Sequence, residues 1–166
     1  MPENNRIKKE YIPQFSHALL HAHQLLGYFL ASERIAEMAA EEGFAFLGLM
    51  QQLHEKAEVR QLLVNIATNI RIGRDYQKIH YAVNVDLSKA QVGKLIEAGK
   101  QKPLALLEAC NKIIHAIKFV FETGETRAVK NSYTDLKGGK IRLPYLKPIV
   151  HLSGKRWNTS LGIDVS

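Results

Sequence analysis

The sequence predicts a mainly α-helical protein that carries one short β-ribbon, and three observations support that reading. From Ile79 to Leu87 the apolar residues fall at every second position (Ile79, Tyr81, Val83, Val85, Leu87), with His80, Ala82, Asn84 and Asp86 between them. That period of two marks a strand with one buried face. Long stretches with helical periodicity lie on both sides of it. A tail from Glu125 onward is broken by Gly, Pro and Ser into short β-like runs.

Taken in chain order, residues 1–12 are polar and read as a flexible arm, without the apolar stretch of a secretory signal. Residues 13–73 form an N-terminal helical region. In its first half Phe15, Leu19, Leu26, Phe29 and Leu30 fall broadly on one side. Gly43 interrupts the pattern, and Gly73 is placed to stop the helix before the strand. After the strand, Ser88 and Gln91 have the spacing of a capping box, which predicts a helix carrying Val92, Leu95, Ile96 and Gly99 on one face. Pro103 suits the first turn of another helix, running to Gly124 with a polar stripe of Glu108, Lys112, His115, Lys118 and Glu122. In the basic extension 125–166, Pro144 and Pro148 argue for edge or extended structure rather than a long central strand.

Composition excludes several classes. Hydrophobic residues make up 46% and charged residues 23% of the 166, which fits a globular chain and not a disordered one. No apolar run reaches the roughly 20 residues that cross a bilayer, so no membrane association is expected. The single cysteine, Cys110, permits no disulfide within the chain, and the expected location is cytoplasmic. The net charge of +7 is uneven: residues 1–70 carry 6 basic and 8 acidic groups, 71–102 carry 7 and 3, 103–126 carry 2 and 3, and 127–166 carry 8 and 2. The positive excess therefore belongs to the strand segment and the tail, where an acidic partner such as nucleic acid would be drawn.

A lone amphipathic strand leaves its backbone groups unpaired. Either the tail supplies its partner, or the same strand of a second copy does so across a dimer axis. The order strand, capped helix, short break and broad apolar helix over residues 78–124 resembles the ribbon–helix–helix family of DNA-binding regulators. That resemblance implies a homodimer whose ribbon enters the major groove of double-stranded DNA. Carried over by position, Ile79, Tyr81, Val83 and Val85 would face inward, and Lys78, His80, Ala82 and Asn84 would face the bases. The family's phosphate clamp at the start of its second helix would fall on Gln101, Lys102, Pro103 and Leu104, strengthened by Lys100 and Lys102, with Arg71, Arg74, Lys89 and Lys94 approaching the backbone. Pro103 contributes no N–H to that clamp. The wider arrangement, including the N-terminal "SHALLHAHQLL", is similar to the AcaB-type transcriptional regulators of conjugative plasmids and integrative elements. It implies a regulator of horizontal-transfer genes, with no cofactor.

Other constellations are weaker. Arg74 and His80 in "RDYQKIH" form an Arg-x5-His pair that resembles the motif of HEPN ribonucleases, which implies metal-independent RNA cleavage by acid–base and phosphate-steadying groups. His17 and His21 stand at the i,i+4 spacing of metal ligands, but no third ligand is nearby, and no metal site is expected. Tyr133, Tyr145 and Trp157 lie among basic residues and either stack bases or anchor the tail to its own domain. No P-loop, dinucleotide fingerprint, paired-carboxylate site or nucleophile with a base at readable spacing is present, so a non-enzymatic role is expected. A third reading is an interaction module whose strand pairs with the tail.

Overall fold

Pro13 opens a long helix because its fixed φ suits a first turn and its missing N–H costs nothing there. In the computed structural model this helix, α1, spans Pro13–Glu41, and a second, α2, spans Ala45–Tyr81. The structure describes residues 13–41, 45–81, 90–97, 100–127, 129–130, 140–155 and 157–162. Along α1 the buried positions are Ala18, Leu25, Phe29, Ser32, Ala36, Ala39 and Ala40, a stripe at three- and four-residue spacing. Along α2 they include Glu55, Val59, Leu62, Leu63 and Ala67. Phe15 lies against Gly73 and Ser32 bonds Glu55, so the helices run antiparallel.

The stripe on α1 is rotated from the predicted one. Leu19 and Leu30 are exposed, at 60% and 61%, and small alanines occupy the interface instead, which lets the backbones approach. Gly73 does not end the helix. A β-carbon there would stand 2.9 Å from the Phe15 ring, so the glycine is a seat for that ring inside α2.

The predicted strand over 79–87 is overturned where it is described: Ile79, His80 and Tyr81 are the last residues of α2. A helix already formed gains one hydrogen bond for each residue it adds, and the good helix formers Arg74, Gln77 and Lys78 carry it through the alternating start of the segment. Residues 82–87 lie outside the described part. The capping-box helix is also overturned from Gln91 onward. Gln91–Glu97 is a strand, β1, paired with β2 (Lys100–Ala105) in an antiparallel hairpin. Pro103 lies in that edge strand and not in a helix, a position where a missing ladder donor is tolerated. Only Leu106–Ile114 of the next predicted helix is helical (α3), and Lys118–Glu125 is a strand, β3. There Phe119 and Phe121 turn inward with Lys118 and Val120 alternating with them, the period-two pattern of a half-buried strand.

The tail completes the sheet. β4 (Val129–Lys130) and β5 (Lys140–Ile141) make a small separate pair. β6 (Pro144–Ser153) and β7 (Asn158–Gly162) join the main sheet, which is antiparallel throughout in the order β2-β1-β7-β6-β3. β6 is a long central strand despite its two prolines. Pro144 begins it, and Pro148 falls at a bulge where the ladder to β3 shifts register between Phe121 and Thr123. Both are places where a strand can do without an N–H.

One face of the sheet carries Leu95, Leu104, Leu146, Val150, Leu152 and Leu161 into a common core with Leu25, Phe29, Val59, Leu62 and Leu63 of the helical hairpin and Ala109, Cys110 and Ile113 of α3. The other face is open, with Ile96 42% and Val120 43% exposed. This two-layer α+β architecture replaces the expected ribbon–helix–helix core. The partners of β1 are β2 and β7 of the same chain, so no second copy is needed to complete a ribbon. No helix among the described residues is long and apolar enough to cross a membrane.

Candidate nucleic-acid interface

The β1–β2 hairpin forms one edge of the sheet, and its register determines what it presents. Lys94 stands opposite Pro103 and Ile96 opposite Gln101, while Leu95 stands opposite Lys102 and Glu97 opposite Lys100. Leu95 is fully buried, so the alternate pairs Lys94–Pro103 and Ile96–Gln101 face away from the core. Lys94, Lys100, Gln101, Lys102 and Pro103 are exposed, and a cleft of about 260 Å³ runs between Gln91, Gly93, Lys94, Gln101, Lys102 and Pro103. Lys102 Nζ lies 3.7 Å from Glu108 Oε1 on α3, which holds the inner side of the hairpin to the following helix.

Four of the seven phosphate-approaching residues read from the sequence, Lys94, Lys100, Gln101 and Lys102, therefore meet on one exposed hairpin, although not at a helix start. Arg71 and Arg74 stand elsewhere, half-buried on α2, and the Nε of each is buried without a hydrogen-bond partner among the described residues. Lys89 lies outside the described residues. The base-reading set does not form a strand face: Lys78 and His80 belong to the last turn of α2, and Ala82 and Asn84 lie outside the described residues. Arg74 and His80 share α2 but occupy positions about 120° apart around its axis.

Beside the hairpin, the open face continues through β7, β6 and β3. Lys118 is exposed there, and His151 Nε2 lies 2.7 Å from Glu122 Oε1 across the β3–β6 pair. A second cleft of about 260 Å³ is lined by Ile96, Lys118, Val120, His151, Ser153 and Asn158. Tail aromatics are committed to the fold. Tyr145 lies over Gly124 on the neighbouring strand, and Trp157 lies over Gly154 with Lys112 Nζ 4.7 Å from its ring centre. Tyr133 lies outside the described residues. No group of three or more His, Cys, Asp or Glu side chains among the described residues is placed to hold a metal ion.

Sequence reasoning missed a buried polar link. The Leu146 N–H donates to Ser32 Oγ at 2.9 Å, and the Ser32 hydroxyl donates to Glu55 Oε2 at 3.0 Å. It ties β6 to both long helices, and its only sequence signal is a Ser and a Glu lying on stripes that are otherwise apolar. The chain thus defines a class, an antiparallel sheet backed by a helical hairpin with a lysine-bearing hairpin at its edge. Compared with family models, curated proteins and solved structures, it finds no match.

Proposed function

We propose that this protein is a double-stranded DNA-binding regulator whose contact element is the β1–β2 hairpin. The observation that supports this reading is that Lys94, Lys100, Gln101 and Lys102 are all exposed on one two-stranded edge, Lys94 and Gln101 on its outward face and Lys100 and Lys102 on the other. A two-stranded ribbon is an element that the major groove admits. Lysines along its rim would approach phosphates, and Gln101 on its outward face has the donor–acceptor pair that matches an adenine edge. The positive excess of the tail adds a long-range field that favours the encounter.

The test is a titration of labelled duplex pools at about 0.05 M and about 0.2 M salt. Wild-type protein is expected to bind with a steep salt dependence. Replacing Lys94 and Lys100 together by Ala should weaken every duplex and shallow the log–log slope by about 2, since each neutralised phosphate accounts for roughly 0.9 of it. An unchanged affinity and slope in the double variant would refute the hairpin as the contact element. Sedimentation of the complex then reads whether one or two chains occupy a site.

A further inference from the structure

The five-stranded sheet ends in β2 on one side and β3 on the other, and the two edges are built differently. β2 reads Lys-Gln-Lys-Pro over residues 100–103, and exposed lysines with a proline keep an edge from pairing with another chain. β3 carries one lysine and no proline. The extra residues of its irregular ladder lie in β6, where residues 147–149 stand against Glu122 alone, so β3 itself keeps a regular course. Exposed apolar side chains gather here: Val120 on the strand, Ile117 just before it and Ile114 at the end of α3. Phe119 and Phe121 turn toward the core yet stay half-buried, Phe119 with the Arg60 guanidinium 5.1 Å from its ring centre. Among the described residues no strand lies beyond β3.

Two identical edges can pair antiparallel about a two-fold axis. If the open faces of both sheets lie on one side, residues directly opposite each other share a face, so even-numbered positions meet even and odd meet odd. Few registers remain, and charge selects among them. With Val120 on the axis, Lys118 stands opposite Glu122 of the second copy, and the same pair recurs on the far side of the axis. These three side chains belong to the open face. On the core face Phe119 meets Phe121 of the second copy. Moving the axis to Phe121 sets Val120 against Glu122, and moving it to Glu122 sets two carboxylates together. Moving it to Phe119 sets Lys118 against Val120. The Val120 register alone matches opposite charges and also matches apolar groups with their kind.

We propose that β3 is a homodimer interface, at which two copies join edge to edge through residues 118–122 and continue one antiparallel sheet across both chains. Val120 and the two phenylalanines supply the buried area. The two Lys118–Glu122 pairs fix the register and the choice of partner. The interface stands independently of the DNA reading, because the lysine-bearing hairpin occupies the opposite edge of each sheet.

Sedimentation equilibrium of the full 18.7 kDa chain over a range of concentrations tests this, with circular dichroism melts to show that each variant is folded. Wild type is expected to reach twice the chain mass. Lys118→Glu sets carboxylates opposite each other, and Glu122→Lys sets ammonium groups opposite each other. Each alone should weaken the dimer about tenfold, since two attractive pairs become repulsive. An equimolar mixture of these two variants should recover the wild-type association, because each then meets its opposite charge. Val120→Lys, at an exposed position, places two like charges on the axis and should weaken the dimer as well. A wild type that stays monomeric at about 0.1 mM would overturn the proposal. So would a mass that is neither one chain nor two, as a strand of another protein on the edge would give. A dimer that Lys118→Glu and Val120→Lys leave unchanged, or folded single-charge variants whose mixture fails to associate, would overturn it too.

Discussion

The Ser32 hydroxyl accepts from one buried group and donates to another, so removing it leaves two polar groups to be satisfied in a dry place. Ser32→Ala should cost about 1–3 kcal/mol, read from urea denaturation, more than the removal of an exposed serine would. Gly124 answers to sterics instead. Its α-carbon lies under the Tyr145 ring, and Gly124→Val should destabilise by about 1–3 kcal/mol through overpacking. Tyr145→Ala in the same chain should recover part of that loss, which a double-mutant cycle measures. Cys110 makes stability depend on alkaline pH. Burial raises its thiol from 9.0 to about 11, so the unfolded chain ionises first. The stabilisation is complete below about pH 9 and is lost as pH rises through about 11. Tyr145, raised mainly by desolvation, acts in the same direction above its ordinary value of 10.0. Urea midpoints should therefore fall between about pH 8 and about pH 10.5, and less steeply in Cys110→Ala. Single residues are the hardest scale to read from sequence. Gly73 resembles a helix stop and Pro103 a helix start, because both signals are ambiguous until the neighbour is known, Phe15 in one case and the edge of a sheet in the other.

Among the elements, α1 and α2 are legible because a helical period sustained over dozens of residues has few competitors. The segment from Gln91 to Glu125 is not. Val92, Leu95 and Ile96 fit one face of a helix, and they equally fit a strand once partners are supplied by residues 100–105 and 158–162. Those second partners are more than sixty positions away, beyond the reach of any local pattern. The "KFVFETG" run does carry a strand signal, two phenylalanines at alternate positions, but the apolar helical pattern preceding it runs on without a break and masks it. Charge survives the change of structure better than periodicity does. The lysines at 94, 100 and 102 stand out in the sequence for their sign and proximity, and a hairpin gathers them as well as a helix start would. At this scale Gln101→Ala should relax base preference at one position of a selected duplex, by about 1–3 kcal/mol, with little change in salt slope. Selection from a random pool with wild type and variant side by side checks it.

The whole molecule depends on its tail. A basic, Gly- and Pro-broken extension in the sequence turns out to hold β6 and β7, and β7 sits third among five strands. Removing residues 158–166 should separate the β1–β2 hairpin from β6 and β3 and expose Leu95, Val150 and Leu152 to water. Loss of cooperative unfolding by circular dichroism, with helix signal retained, is the expected result. The domain-scale consequence of the strand order is one of timing. A ribosome delivers α1 and α2 first, and they can pair at once, but their sheet-facing side stays uncovered until residues near Leu161 emerge. At roughly 5–20 residues per second, the roughly 80 residues from the end of α2 to the end of β7 represent an interval of about 4–16 s. During that interval the nascent chain displays Leu25, Phe29 and Leu63 without their cover, which makes it a natural client for a chaperone waiting at the tunnel exit.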